Sequence, residues 1–144
     1  MTDDEIPPLL PPHQMPPVTD QASLHRTWRA LMGKLGFASR QIWILFLEPD
    51  GQPIHAATVE QVPRAASPAD VLEMTKMFAS VDPQAALAFL YARPGGGPRT
   101  EEDLAWGRTL AVAARDAGVG RWPVHLANGD EVTVVAPDDL AEAS

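Results

Sequence analysis

The sequence contains no cysteine, and only two of its eleven lysine and arginine residues are lysines. Without cysteine the chain cannot form disulfides, use a thiolate as a nucleophile or bind zinc through sulfur. No apolar stretch approaches the roughly 18 residues that a membrane-spanning helix needs, so we expect no membrane partner. The N-terminus lacks the basic cluster that opens a secretory signal, and we therefore expect a cytoplasmic protein. The excess of arginine, alanine and proline is typical of a GC-rich bacterial coding bias.

The net charge of −8 at pH 7 argues against general nucleic-acid binding. Phosphate backbones attract proteins through lysine and arginine side chains, which this acidic chain offers only locally. Five arginines do fall within one stretch of the C-terminal half, and a solvated surface is the simplest interpretation of them. They are Arg93, Arg99, Arg108, Arg115 and Arg121.

The N-terminal segment differs in composition from the rest of the chain. Residues 1–18 hold six of the fifteen prolines and several acidic side chains. Proline removes a backbone donor and disfavours helix. We therefore predict a disordered, acidic, proline-rich tail over residues 1–18, followed by a single folded domain over residues 19–140.

Apolar periodicity and capping residues predict three helices. The first begins after the N-cap Asp20 and is predicted to stop at Gly36. The second begins at Ser67, with a proline at its first position, where the missing N–H does no harm. The third is preceded by Thr100, which forms a capping box with Asp103 and provides a clear helix start.

Strand signals alternate with these helices. The run RQIWILFLE is apolar throughout and predicts a strand buried on both faces, and residues 54–62 form its return strand. QAALAFLY predicts a third strand, and Asn128-Gly129 joins a final hairpin. The order helix, hairpin, helix, strand, helix, hairpin predicts an α/β domain with three layers, in which helices flank a central mixed sheet.

The stretch FLYARPGGGPRTEED joins the third strand to the third helix through a glycine-rich loop. Helix N-termini and glycines suit phosphate binding, and Arg93 and Arg99 flank the loop. The lysine of a phosphate-binding P-loop is absent, and Glu101 and Glu102 occupy the positive end of the helix dipole. A phosphate- or nucleotide-binding module that uses this loop is therefore an alternative to an ordinary capped helix.

Metal-assisted hydrolysis defines another alternative. Zinc needs several converging His, Asp or Glu ligands. His55 and His125 lie in predicted strands and could converge with Asp103, although a lone histidine is more often structural. This set would serve a metal-dependent hydrolase or isopeptidase. None of the serines lies in a G-x-S-x-G elbow, so no serine nucleophile is predicted.

Several stretches together resemble the JAB/MPN (JAMM) metalloprotease-like family, in particular its RadC-type branch. RQIWILFLEPDGQPI is similar to that branch's first hairpin, SPADVLEMTKMFAS to the following helix, and PVHLANGDEV to a late hairpin that contains a histidine. ALAFLYARPGGGPRTEED is similar to the metal-binding turn, H-N-H-P-S-G-D-P-x-P-S-x-x-D. The resemblance covers residues 37–135 and implies a JAB/MPN-like domain with layers arranged as in cytidine deaminases.

The resemblance places the family's catalytic machinery on named positions of this chain. The two metal-binding histidines fall on Tyr91 and Arg93, and the metal-binding aspartate falls on Asp103. The general-base glutamate falls near Arg40 or Gln41. One carboxylate cannot hold a catalytic zinc ion, and without the glutamate nothing would activate a metal-bound water. The resemblance thus implies a vestigial metal site with no catalytic residue, no metal and no cofactor.

Further positions surround this vestigial site. The motif's proline and glycine fall on Pro94 and Gly96, and its serine falls on Thr100 when the loop is shortened by one residue. The later histidine matches His125, whereas the aspartate before it is replaced by Val124. The turn therefore keeps much of its backbone pattern while the metal-binding side chains are exchanged.

These departures predict an inactive domain that acts through a protein partner. Arginine places a permanent cation where the metal would lie, so we expect Arg93 to pair with Asp103. The fold analogy then suggests a protein-interaction or regulatory module, with the N-terminal tail as an accessory contact. Trp106 and Trp122 are candidates for an exposed contact face, although core packing is the commoner role for tryptophan.

Overall fold

A computed structural model describes residues 6–136 of the chain. A short 3-10 turn, Pro12–Gln14, precedes three helices and five strands. The helices are α1 Gln21–Met32, α2 Pro68–Val81 and α3 Glu101–Asp116. The strands are β1 Gln41–Leu47, β2 Pro53–Glu60, β3 Ala86–Ala92, β4 His125–Ala127 and β5 Val132–Val134.

The five strands form one open mixed sheet in the order β2-β1-β3-β4-β5. Only the pairing of β3 with β4 is parallel, because α3 carries the chain back between them; the other pairs are antiparallel. The predicted α/β domain with a mixed sheet and three helices is confirmed. Placing β3 at the centre brings its C-terminal end, where the glycine-rich loop begins, beside the β4–β5 hairpin.

Apolar side chains cover both faces of the sheet. One face packs against α2 and α3, and its core includes Ile42, Ile44, Phe46, Phe89, Tyr91, Val71, Trp106 and Leu110. The opposite face packs against α1, and its core includes Leu45, Leu47, Leu90, Leu24 and Trp28. This arrangement is compatible with the predicted three layers and accounts for the apolar character of β1 and β3 along their whole length.

The helix starts agree with the sequence, and one helix end does not. Asp20, Ser67 and Thr100 are the N-caps, each accepting a backbone N–H with its side chain. The predicted stop of α1 at Gly36 is wrong, because Gly33 already adopts φ +62° and donates its N–H to the Arg29 carbonyl. An earlier glycine in the left-handed region therefore ends the helix.

Both hairpins form, with a small shift in the first. The return strand β2 ends at Glu60 rather than at position 62, because Gln61 adopts φ +58° and breaks the strand. The Asn128-Gly129 turn is confirmed between β4 and β5. The side-chain oxygen of Asn128 accepts the N–H groups of Asp130 and Glu131 at 2.8 and 3.0 Å, which fixes the turn.

Part of the segment predicted as a disordered tail is packed against the domain. Met15 and Val18 are buried, and the Gln52 side chain donates to the carbonyls of Pro12 and Met15. The Val18 N–H donates to the Gly51 carbonyl at 2.8 Å. The proline-rich composition predicted disorder, so the packing of two apolar residues, Met15 and Val18, near the β1–β2 turn was not predicted. Residues 1–5 of the predicted tail lie outside the described residues.

Within residues 6–136, no helix combines the length and the apolar character needed to cross a membrane.

The contact between Gly51 and Val18 yields a stability prediction. Gly51 has φ +95°, and a Cβ there would overlap the Val18 carbonyl, whereas Gly118 has φ +78° and open space around its Cβ position. Both alanine substitutions carry the left-handed backbone cost of about 1–2 kcal/mol. Gly51→Ala should lose an additional amount of about 1–3 kcal/mol through overpacking, as measured by urea unfolding. Equal losses in the two variants would contradict the packing of the N-terminal segment.

Candidate functional site

The candidate site lies in the loop that connects β3 to α3. β3 ends at Ala92 and α3 begins at Glu101, so residues 93–100 form a loop at the C-terminal end of β3. The β4–β5 hairpin flanks it, because the Arg93 N–H donates to the Ala127 carbonyl and the Gly129 N–H donates to the Gly95 carbonyl. The loop is thus held from two sides.

Asp103 occupies the third position of α3 and is almost fully buried. One of its carboxylate oxygens accepts the Thr100 N–H at 2.9 Å, while the Thr100 hydroxyl accepts the Asp103 N–H at 3.1 Å. This is the capping box predicted from the sequence. A buried carboxylate of this kind needs a counter-charge as well as hydrogen bonds.

The counter-charge is the Arg93 guanidinium, as predicted. Its Nε lies 2.9 Å from each carboxylate oxygen of Asp103, and the two side chains are only 12% and 5% exposed. The remaining guanidinium nitrogens donate to loop carbonyls at 3.1–3.3 Å, those of Pro94, Gly96 and Pro98. The loop therefore wraps its oxygens around a cation supplied by its own side chain.

The glycines allow this wrapping and also admit a second carboxylate. Gly95 and Gly97 adopt φ +83° and +86°, and a Cβ on Gly96 would overlap the Asp130 carboxylate. That carboxylate accepts the Gly97 N–H at 2.6 Å, and the Asn128 amide donates to the Gly97 carbonyl at 2.9 Å. Sequence reasoning missed these hairpin contacts, although the Asn-Gly-Asp turn was the signal for them.

This geometry does not form a phosphate cradle. The loop directs carbonyl oxygens inward, and the Gly97 N–H that could face an anion already binds Asp130. Arg99 donates to the Val134 carbonyl at 3.0 Å, and Glu101 and Glu102 are exposed at the start of α3. The phosphate-binding alternative finds no support in these contacts.

Tyr91, the other position that the resemblance aligns with a metal-binding histidine, is a core residue. It is 1% exposed and stacks on Trp106, with ring centroids 5.1 Å apart and planes 9° from parallel. The Trp106 N–H donates to the carbonyls of Pro63 and Arg64, so this tryptophan serves the core rather than an exposed face. Burial raises the pKa of the Tyr91 hydroxyl, and the neighbouring Arg40 guanidinium opposes that rise.

The two positions proposed for the lost general base lie on different faces of the sheet. Arg40 lies near Tyr91 on the side of α2 and α3. Gln41 pairs in register with Ala92 and accepts the Trp43 N–H at 3.0 Å, which places it on the α1 side. Of the two, only Arg40 therefore lies on the same face as Tyr91, and it brings a further cation rather than a carboxylate.

The displaced-ligand set of His55, His125 and Asp103 does not converge. His125 pairs with Leu90 and lies on the α1 face, opposite Tyr91. His55 stacks on Phe46, which lies four residues along β1 from Ile42, the residue paired with Tyr91. At 3.3 Å per residue, His55 and Tyr91 are therefore about 13 Å apart along the strand direction. Among residues 6–136, no three His, Cys, Asp or Glu side chains are grouped closely enough to hold a metal ion.

His125 instead forms an unforeseen pair with His25 of α1. Their ring centroids lie 6.2 Å apart, and a ring nitrogen of His25 lies 3.3 Å from the Val132 carbonyl. His125 is fully buried, and within the described part of the chain neither of its ring nitrogens has a hydrogen-bond partner. Burial, and secondarily the charge of His25, lowers the pKa of His125 to about 4, against a smaller opposing effect of the Pro123 carbonyl.

No protein-family model matches this chain, and no curated protein matches it. The likeness to the RadC-type branch accordingly depends on the order of elements and on the residues of the β3–α3 loop. The structure itself shows an α/β domain with a five-stranded mixed sheet and three helices.

His125 gives a prediction on pH. Its folded-state pKa of about 4 lies below the ordinary 6.5, so between these values only the unfolded chain takes up the proton. Stability that is present above pH 6.5 should therefore fall as the pH drops to about 4, by about 3 kcal/mol in total.

Urea unfolding of the wild type, His125→Leu and His13→Gln across this pH range measures the effect. The leucine variant should lack the His125 part of the pH dependence, whereas His13→Gln, which changes an exposed histidine, should follow the wild type. Parallel pH profiles for the wild type and His125→Leu would contradict the assignment.

Proposed function

We propose that this chain is a metal-free JAB/MPN-like domain of the RadC type, a pseudoenzyme that works as a protein-interaction or regulatory module. One observation carries the proposal. The Arg93 guanidinium binds both oxygens of Asp103 and the carbonyls of the surrounding loop, as a metal ion bound by oxygen ligands would. The resemblance to the JAB/MPN family aligns this position, beside Asp103, with the catalytic metal.

The chemistry of the neighbouring positions supports an inactive site. A hydrolytic zinc site needs about three protein ligands, an open position for water and a base to activate that water. Here Tyr91 is locked in the aromatic core, Arg93 is committed to Asp103, and Arg40 stands where a base is expected. Two guanidinium groups beside this place would repel a divalent cation.

The interaction role is supported by fold analogy and by the N-terminal segment. Domains of a given fold are reused for binding once their chemistry is lost. Ile6 and Leu9 are 40% and 62% exposed, beside the anchored residues Met15 and Val18. Exposed apolar side chains on a segment that is itself fixed to the domain suit an accessory contact with a partner protein.

The metal content of the purified chain tests the proposal. Protein purified without added metal should contain zinc far below one atom per chain, because a permanent cation fills the place of the metal. Elemental analysis by inductively coupled plasma mass spectrometry measures this directly. Stoichiometric zinc that disappears in Asp103→Asn would overturn the proposal.

A matched variant makes the metal measurement sharper. Tyr91→His with Arg93→His restores, together with Asp103, the three ligands that the resemblance implies. That double variant should take up zinc where the wild type does not. Non-ligating substitutions at the same two positions, Tyr91→Phe with Arg93→Gln, control for any gain caused by loosening the core.

A further inference from the structure

Two adjoining cavities follow the C-terminal half of α3. The first, of about 470 Å³, lies between α3, the loop after it and the end of β5. The second, of about 330 Å³, lies between α2 and α3. Arg108 and Val112 line both, so the cavities form one groove along the helix, which we call the α3 groove.

The floor of the α3 groove is apolar. Ala111, Val124 and Val135 line the first cavity, and Leu72 lines the second. Val112 lines both cavities and is 44% exposed. A groove of this volume with an exposed aliphatic side chain at its centre can receive apolar side chains of a ligand.

The rim of the α3 groove is basic, although the chain as a whole is acidic. Arg108, Arg115 and Arg121 line the first cavity, and among residues 6–136 the acidic lining of the two cavities is limited to Asp116. The Arg115 side chain is 75% exposed, and its contact with Asp116 is long, at 3.6 Å. Such an exposed ion pair contributes little to folding stability and leaves most of the guanidinium donors facing water.

Arg121 makes two contacts that favour one orientation of its guanidinium. Its guanidinium carbon lies 5.2 Å from the centroid of the Trp122 ring, and one nitrogen donates to the Pro49 carbonyl at 3.2 Å. A positioned guanidinium loses less conformational freedom on binding a carboxylate than a free one. The groove therefore presents fixed as well as exposed cations.

The spacing of basic and apolar side chains along α3 restricts which ligands can bind in the α3 groove. Arg108, Val112 and Arg115 lie three and four residues apart and share one face of the helix. The two arginines are about 10.5 Å apart along the axis, at 1.5 Å per residue, with the valine between them. Glu101 and Glu102 begin the same helix and would repel a negative ligand from its N-terminal half. Along α3, an acidic ligand is therefore favoured at the C-terminal half, where the α3 groove lies.

We propose that the α3 groove binds an acidic amphipathic segment of a partner protein. Apolar side chains of that segment cover Val112, and its carboxylates pair with Arg115 and Arg121. The inference rests on the proposed function as an interaction module and specifies the chemistry of the partner. A second copy of this chain is a poor occupant, because a two-fold contact would bring like-charged rims together.

The test is an unbiased selection. A random-peptide library displayed on phage is sorted on the wild-type protein after depletion on Arg115→Glu. The recovered peptides should be enriched in Asp and Glu together with large apolar residues. Fluorescence anisotropy with the most enriched peptide should then give at least about tenfold weaker binding for Val112→Glu and for Arg115→Glu.

Matched controls separate the groove from general surface charge. Arg64 is 67% exposed with an ion pair at 3.6 Å, as in Arg115, and Val81 is 61% exposed at the end of α2. Arg64→Glu and Val81→Glu should bind the peptide as the wild type does. The milder Val112→Ala should weaken binding without a new charge, and urea unfolding confirms that each variant folds.

Three results of the selection and binding experiments would overturn the inference. They are a selection without enrichment, enrichment of basic or proline-rich peptides, and binding that Val112→Glu leaves unchanged. Concentration-dependent dimerisation that Val112→Glu abolishes would also overturn it, in favour of a self-contact. None of these results bears on zinc content, so the inference and the proposed loss of metal can fail separately.

Discussion

The ion pair between Arg93 and Asp103 fixes the geometry of everything around the β3–α3 loop. Asp103 is both the counter-charge of the guanidinium and part of the cap that starts α3, so one carboxylate joins the end of a central strand to the start of a helix. Because both side chains are nearly buried, neither can lose its partner cheaply. The loop carbonyls that bind Arg93 then fold the glycine-rich segment inward rather than toward solvent.

The neighbouring elements follow from this arrangement. A loop folded around a cation exposes N–H groups on its outer side, and the β4–β5 hairpin meets them with Asp130 and Asn128. Glycine is needed at position 96 because the Asp130 carboxylate lies where a Cβ would be. In the proposed interpretation, a former metal site now has a structural role, in which it connects β3 to α3. The backbone pattern of the site can therefore persist although its metal chemistry is lost. Binding would then fall to surfaces elsewhere, such as the proposed α3 groove with its apolar floor and basic rim.

Features encoded within a few residues could be predicted from the sequence, and features created by tertiary contact could not. The capping box at Thr100 and the Asn128-Gly129 hairpin are local, and the Arg93 pairing followed from charge alone once the resemblance aligned the loop. The buried pair of His25 and His125 was not predicted, because the local sequence shows only that His125 lies in a strand. The parallel pairing of β3 with β4 is what places its side chain on the α1 face. The packed N-terminal segment was missed because Val18 finds its partner, Gly51, far along the chain.

A double-mutant cycle on Arg93 and Asp103 tests the central claim most directly, with Arg93→Met, Asp103→Asn and the double variant compared by urea unfolding. Removing Arg93 should cost about 3–5 kcal/mol, and the double variant should be more stable than the sum of the single losses predicts by about 2 kcal/mol or more. The same cycle on Arg64 and Glu102, an exposed pair at 3.6 Å whose carboxylate lies in the same first turn of α3, should give a coupling of about 0–1 kcal/mol. Additive losses at Arg93 and Asp103, within about 0.5 kcal/mol, would contradict the claim that this pair holds the loop together.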